Sequence, residues 1–296
     1  PTTTTTTTRY VVQMSNVLEG MRKLSRAGYE KLTPDVFAYT TVITAWADCP
    51  VPESSVRAQK LLVELEDTHR SVLDETNIYP SNVPIRPDVA VYNAAVAAVA
   101  KRHPDNPLDA AKSIIQRMEA QYESGENTNV QPDAITYTTL IDAHLKRTEN
   151  SVQEAEDILM DMIQQYKDGT NTKLKPSARA FVIVIDAWIQ RKKTKDLTKA
   201  EALLEIMKEF YPVDIRRYER LIEEYCKKID TNSLDTVSER NAAEKAFELL
   251  LKIEDQCQKE TSAQSSLQII KPKVSTYAAV ISGWTVCATQ NFNDTA

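Results

Sequence analysis

The stretch TPDVFAYTTVITAW, residues 33–46, decides how the rest of the chain is read. Tyr39 is followed by apolar Val42 and Ile43 at plus three and plus four, and by Trp46 at plus seven. On a helix of 3.6 residues per turn these positions form a single stripe. The same register recurs from Tyr92, Tyr137, Phe181, Tyr218 and Tyr277. The plus-three and plus-four pairs there are Ala95/Val96, Leu140/Ile141, Val184/Ile185, Leu221/Ile222 and Val280/Ile281, and the plus-seven residues are Val99, His144, Trp188, Tyr225 and Trp284. A stripe that recurs at intervals of tens of residues predicts a stack of similar units, not one globular core.

A second stripe follows each complete copy. In AQKLLVELE, residues 58–66, Ala58 leads Leu61/Leu62 and then Leu65. Ala111, Ala155, Ala200 and Ala243 open equivalent segments, completed at plus seven by Met118, Met162, Met207 and Leu250. A small residue at that point lets two helix backbones approach closely while the larger side chains interdigitate. From aromatic to alanine the spacings are 19, 19, 18, 19 and 25 residues. The predicted unit is therefore helix, turn, antiparallel helix. The return spacings vary more, at 34, 26, 26, 18 and 34 residues. Segments 74–86, 123–131, 167–175 and 259–271 are rich in Ser, Thr, Asn and Gly and are expected as solvated loops, which chain entropy tolerates well. Pro34, Pro87, Pro132, Pro176 and Pro272 are expected just before first helices, where a missing N–H costs no intrahelical bond.

The chain has 296 residues, 42% of them hydrophobic, and a formal charge of −6. No apolar run is long enough to span a bilayer, and that charge argues against binding nucleic acid by bulk phosphate neutralisation. Residues 1–9, with the tract Thr2–Thr8, are expected as a low-complexity linker. Met14, Val17, Leu18 and Met21 have the register of a second helix, so the chain is expected to open inside a repeat and to end soon after a first helix, near Cys287. Cys49, Cys226, Cys257 and Cys287 form no CxxC motif and are expected as reduced thiols.

Several segments carry a resemblance. TPDVFAYTTVITAW, RPDVAVYNAAVAAV, QPDAITYTTLIDAH and KPKVSTYAAVISGW resemble the first helix of the pentatricopeptide repeat family, and AQKLLVELE, AAKSIIQRME, AEDILMDMI and AEALLEIMK resemble its second. The resemblance implies an all-α fold, a right-handed α-solenoid superhelix of antiparallel helix pairs. The array would occupy 10–296, with a partial repeat at 10–33, repeats starting near 34, 87, 132, 176 and 213, and a partial repeat at 272–296. The repeats here are longer than the family unit, which makes this a loop-expanded member. A tetratricopeptide-type solenoid is the competing reading, but its signature residues fall elsewhere.

Such proteins read single-stranded RNA at about one base per repeat. The family reads with the residue after the aromatic and the residue just before the next first helix. Carried over, the pairs are Thr40 with Asp88, Asn93 with Asp133, and Thr138 with Ser177, implying G, U and a purine in turn. The base-sandwiching positions become Phe37, Ala90 and Ile135. An Asn amide both donates and accepts, and a neighbouring carboxylate can orient it. The later copies do not fit: Val182 with Asp214 lacks a polar reader, Glu219 with Lys273 puts a carboxylate at the base edge, Ala278 offers nothing, and Arg179 and Arg216 replace the apolar sandwich residue. Asp35, Asp88 and Asp133 equally suit helix N-caps, and capping does not exclude base reading.

The other polar residues read as structural. Trp46, Trp188, Trp284 and His144 share one packing slot, His69 and His103 fall in or near turns, and Arg191–Lys195 is expected as a solvated turn. No deaminase, Walker or GxSxG motif occurs, so the expectation is a non-enzyme without cofactor or metal. The expected partner is single-stranded RNA, together with other proteins of an RNA-processing complex and no membrane. The resemblance places such proteins in the mitochondrion or plastid. A protein-binding α-solenoid scaffold without base reading is the alternative.

Overall fold

The computed structural model describes residues 2–73, 85–102, 106–146, 151–191, 193–229, 236–262 and 271–293. His103, most of the 74–86 and 259–271 segments, and residues 230–235 lie outside the described residues. Among the described residues there are twelve α-helices, two short 3-10 turns and no strand. The chain divides into two compact units, Pro1–Ala180 and Phe181–Ala296.

The first unit holds α1 (Thr2–Arg26), α2 (Val36–Asp48), α3 (Ser54–Leu73), α4 (Val89–Arg102), α5 (Pro107–Glu123), α6 (Ala134–Leu145) and α7 (Ser151–Lys167). Three antiparallel hairpins form from α2 and α3, α4 and α5, and α6 and α7, and the first helices α2, α4 and α6 lie side by side. The predicted stripes are the core. Tyr39, Val42, Ile43, Trp46, Tyr92, Ala95, Val96, Leu140 and Ile141 are all buried, as are Ala58, Ala111 and Ala155 on the facing helices. Each large side chain so buried contributes roughly 1.5–3 kcal/mol. His144 fills the tryptophan slot and is fully buried, its Nδ1 3.0 Å from a Glu154 oxygen. His69 is likewise buried, within α3 rather than in a turn.

In two copies the tyrosine hydroxyl in this slot reaches back to the preceding second helix. Tyr92 donates to Glu66 at 2.6 Å and Tyr137 to Glu119 at 2.5 Å. Glu66 and Glu119 stand at the same position, eight residues past Ala58 and Ala111. Burial and the Glu66 charge push the Tyr92 phenol well above its ordinary pKa; burial and the hydrogen bond to Glu119 do the same at Tyr137. Arg117 closes the first joint, 2.9 Å from the other oxygen of Glu66.

The expectation for the N-terminal tract changes. The Thr2–Thr8 tract runs as the opening of α1, and Thr8 Oγ1 lies 3.7 Å from Cys49 Sγ. Extending an existing helix adds one hydrogen bond per residue fixed, and threonine opposes this only weakly. The prolines lie just before the first helices, as expected: Pro34 and Pro132 directly precede the caps Asp35 and Asp133. Segments 123–131 and 167–175 are loops with most of their residues exposed, as expected, and each is also anchored by buried residues. Gly125 and Gly169 adopt positive φ (75° and 74°), a region open to glycine without steric cost, and so turn the chain out of α5 and α7. Val130 and Leu174 are then buried, along with Asn127 and Asn171. Asn127 donates to the Pro87 carbonyl at 2.8 Å, and Asn171 to the Pro132 carbonyl at 3.1 Å. Each loop thereby clamps the entry of the preceding first helix.

The second unit holds α8 (Ala178–Gln190, nearly all of it), α9 (Thr194–Lys208), α10 (Ile215–Cys226), α11 (Thr236–Ser262) and α12 (Val274–Asn293). Phe181, Val184, Ile185, Trp188, Tyr218, Leu221, Ile222 and Tyr225 are buried, with Ala200 and Ala243 opposite. Arg191 is no free turn residue: it bonds Asp196 at 3.0 Å and lies over the Trp188 ring. Trp284 keeps its position in the stripe but is partly exposed, as are Ile281 and Phe247. None of the four cysteines is in a disulfide, and burial pushes the Cys226 thiol up to about 11. No described helix is long and apolar enough to cross a membrane.

Candidate nucleic-acid interface

The candidate readers lie in the first unit, on the aligned first helices α2, α4 and α6. Their N-termini are fixed by side-chain caps. Asp35 accepts from Ala38 N at 2.8 Å, Asp88 from Val91 N at 3.0 Å, and Asp133 from Ile135 N and Thr136 N, both at 3.0 Å. Ser177 does the same for Ala180 N at 3.1 Å. The residues that were candidates for caps or for readers are therefore caps in each case.

The three expected pairs differ in how closely they meet. Asn93 Nδ2 donates to Asp133 Oδ1 at 3.2 Å, linking α4 to the cap of α6. Thr138 Oγ1 lies 3.5 Å from Ser177 Oγ. No hydrogen bond joins Thr40 to Asp88; the Thr40 hydroxyl donates to the Val36 carbonyl at 2.8 Å. Thr138 likewise donates to the Ala134 carbonyl at 2.5 Å. With their protons on the preceding turn, both threonines present lone pairs outward.

Phe37 and Ile135, three residues before Thr40 and Thr138, lie on the same helix face as those threonines. They are 78% and 64% exposed, and Ala90 occupies the same exposed position before Asn93. The interface thus alternates open apolar side chains with half-buried polar ones.

One contributor was not foreseen. Thr136, fully buried, donates from its hydroxyl to Asn93 Oδ1 at 2.6 Å and accepts from Asp133 N at 3.2 Å. Asn93 is therefore held at both ends of its amide, leaving one N–H and one lone pair. In the second unit the same two positions meet again. Glu219 Oε1 accepts from Thr276 Oγ1 at 3.0 Å and from Lys273 N at 2.8 Å. Glu219 is buried, so its carboxylate does not occupy a base edge but caps α12. The signal was a threonine immediately before the next aromatic, found in both copies. Asp214 caps α10 by accepting from Arg216 N at 3.0 Å, and Val182 is partly buried.

Asp133→Ala removes the α6 cap and one anchor of Asn93 together. It is expected to lower stability by about 1–2 kcal/mol in urea denaturation, with Asp133→Asn closer to the parent. No protein-family model matches the chain, and no curated protein matches it.

Proposed function

We propose that the chain is a single-stranded RNA-binding helical-repeat protein of pentatricopeptide type, a right-handed α-solenoid whose first unit reads bases in organellar RNA processing, stability or translation. The observation that carries this reading is the exposed row Phe37, Ala90 and Ile135 set beside Thr40, Asn93 and Thr138 on adjacent helices. A base lying between two exposed apolar side chains gains stacking contact irrespective of its identity, while the neighbouring polar group meets its edge. Asn93, with one free N–H and one free lone pair, matches a base edge carrying an acceptor beside a donor, as uracil does. Thr40 and Thr138, offering lone pairs, match base N–H groups, as guanine presents. The resemblance assigns G, U and a purine in that order.

Asn93→Ala is expected to flatten preference at the second base, while helical content by circular dichroism stays at the parent level. Equal discrimination at that base by parent and variant would rule Asn93 out as a reader.

The second reading is a protein-binding scaffold, favoured by the charge of −6 and by Glu219, whose reader position serves as a cap. A protein partner that stays bound after RNase treatment supports the scaffold; one released by RNase supports the RNA reading. Localisation in a mitochondrion or plastid belongs to the same proposal.

A further inference from the structure

Among Thr40, Asn93 and Thr138, only Asn93 carries a carbonyl oxygen beside its donor, and an amide can face either way until its neighbours fix it. Two contacts do so here. Asn93 Nδ2 donates to Asp133 Oδ1 at 3.2 Å, and Asn93 Oδ1 accepts from the Thr136 hydroxyl at 2.6 Å. That hydroxyl has one proton and a second acceptor in reach, Asp133 Oδ1 at 3.0 Å. Asp133 Oδ1 already receives the backbone N–H groups of Ile135 and Thr136, both at 3.0 Å, as well as the Asn93 amide. The proton therefore goes to the nearer and less occupied oxygen, that of Asn93. Thr136 is fully buried, so water does not compete for this bond.

Thr136 stands three residues past the cap Asp133. What occupies the aligned place in other joints follows the side chain that faces it. Opposite Thr40 it is Val91, and opposite Thr138 it is Ala180, both fully buried and neither able to donate from its side chain. Those threonines need no donor, because each hydroxyl bonds its own helix, at the Val36 and Ala134 carbonyls. Opposite Glu219 it is Thr276, buried, whose hydroxyl donates to Glu219 Oε1 at 3.0 Å. In these four joints a hydroxyl stands where the facing side chain has a carbonyl-type oxygen to satisfy, and an apolar residue where it has none.

The consequence for a base is an order of groups. Read from C4 toward C2, the edge of uracil runs acceptor, donor, acceptor, and that of cytosine runs donor, acceptor, acceptor. An adjacent N–H and lone pair match uracil in either order but cytosine in only one. An amide free to turn over therefore takes both pyrimidines, whereas one held in a single orientation is able to reject cytosine. We propose that Thr136 is a positioning residue that holds the Asn93 amide in the order that admits uracil and rejects cytosine at the second base. It acts through Asn93 and, being fully buried, touches no base itself. Without it, Asn93 keeps one 3.2 Å bond to an oxygen that two backbone N–H groups already share. The inference rests on the RNA reading of the first unit, and its test separates the two.

Fluorescence anisotropy on the full chain uses two single-stranded RNAs that differ only in uracil or cytosine at the second base. The parent is expected to prefer uracil. Thr136→Val keeps the shape and removes the hydroxyl, and should lower the uracil-over-cytosine ratio about fivefold, the effect of losing one hydrogen bond. Thr136→Ser, which retains the hydroxyl, should keep the parental ratio. In an Asn93→Ala background, Thr136→Val should change the ratio no further. If Thr136→Val loses helix by circular dichroism, transfer of the pair to the first joint serves instead, with Asp88 in the place of Asp133. Thr40→Asn with Val91→Thr should then favour uracil over cytosine at the first base more strongly than Thr40→Asn alone. A parent without preference, or Asn93→Ala with the parental ratio, overturns base reading and this inference together. Asn93→Ala that flattens the ratio beside Thr136→Val that keeps it leaves base reading standing and overturns this inference alone. So does a further fall in the Asn93→Ala background, or a transferred pair no more selective than Thr40→Asn.

Discussion

Arg117→Met is expected to cost about 3 kcal/mol, the largest loss from any single polar change in the first unit, because it leaves a carboxylate buried without its cation. Glu66 is only 7% exposed, and its partners are the Arg117 guanidinium at 2.9 Å and the Tyr92 hydroxyl at 2.6 Å. These three residues tie α3, α4 and α5 together at one point. Adding Glu66→Gln to the variant should recover part of the loss, since no uncompensated charge then remains. Urea denaturation of the four members of the cycle measures this, and hydrogen exchange should place the loosening in α3–α5. A variant within about 0.5 kcal/mol of the parent, the range of ordinary surface changes, would mean the joint is dispensable.

The second large effect is expected at Asn127. Its side chain is fully buried and makes three hydrogen bonds: to the Pro87 carbonyl at 2.8 Å, from Arg86 Nε at 2.9 Å and from Asn129 N at 3.1 Å. Asn127→Ala strands a buried carbonyl and frees the loop, at a cost of about 2–3 kcal/mol. Because Pro87 directly precedes Asp88, the same change should loosen the entry of α4. Asn171→Ala, with a longer 3.1 Å bond to Pro132, should give a smaller effect at the entry of α6. Thermal melts of the two variants rank them, and the reverse order would contradict the clamp.

How far the sequence carries can be judged residue by residue. The helix pairs were legible because burial enforces a 3.6-residue period, and Tyr39, Ile43, Ala58 and Leu62 had to lie where they do. The caps were half legible. Asp after Pro marks a helix start, but composition could not separate capping from reading at Asp88 and Asp133. The polarity of Asn and Gly does not by itself reveal the loop clamps. The aligned segments Gly125-Glu-Asn127 and Gly169-Thr-Asn171 nonetheless carried the signal. Register arithmetic does not fix exposure. Ile281 and Trp284 fit the stripe but are open, since exposure depends on which helices pack against that face. The Asn93–Thr136 contact joins residues 43 positions apart, which only the stacking of α4 on α6 brings together.

The most direct test of the central claim is fluorescence anisotropy with short single-stranded RNAs at moderate salt. One RNA carries G, U and a purine in consecutive positions, one carries the same bases scrambled, and one is the duplex form of the first. Binding to the ordered single strand that exceeds binding to the scrambled strand, is lost in the duplex and depends only shallowly on salt is the result predicted, since few phosphates are neutralised by a chain of charge −6. Equal binding to ordered and scrambled strands, or no binding to either, would contradict base reading by Thr40, Asn93 and Thr138.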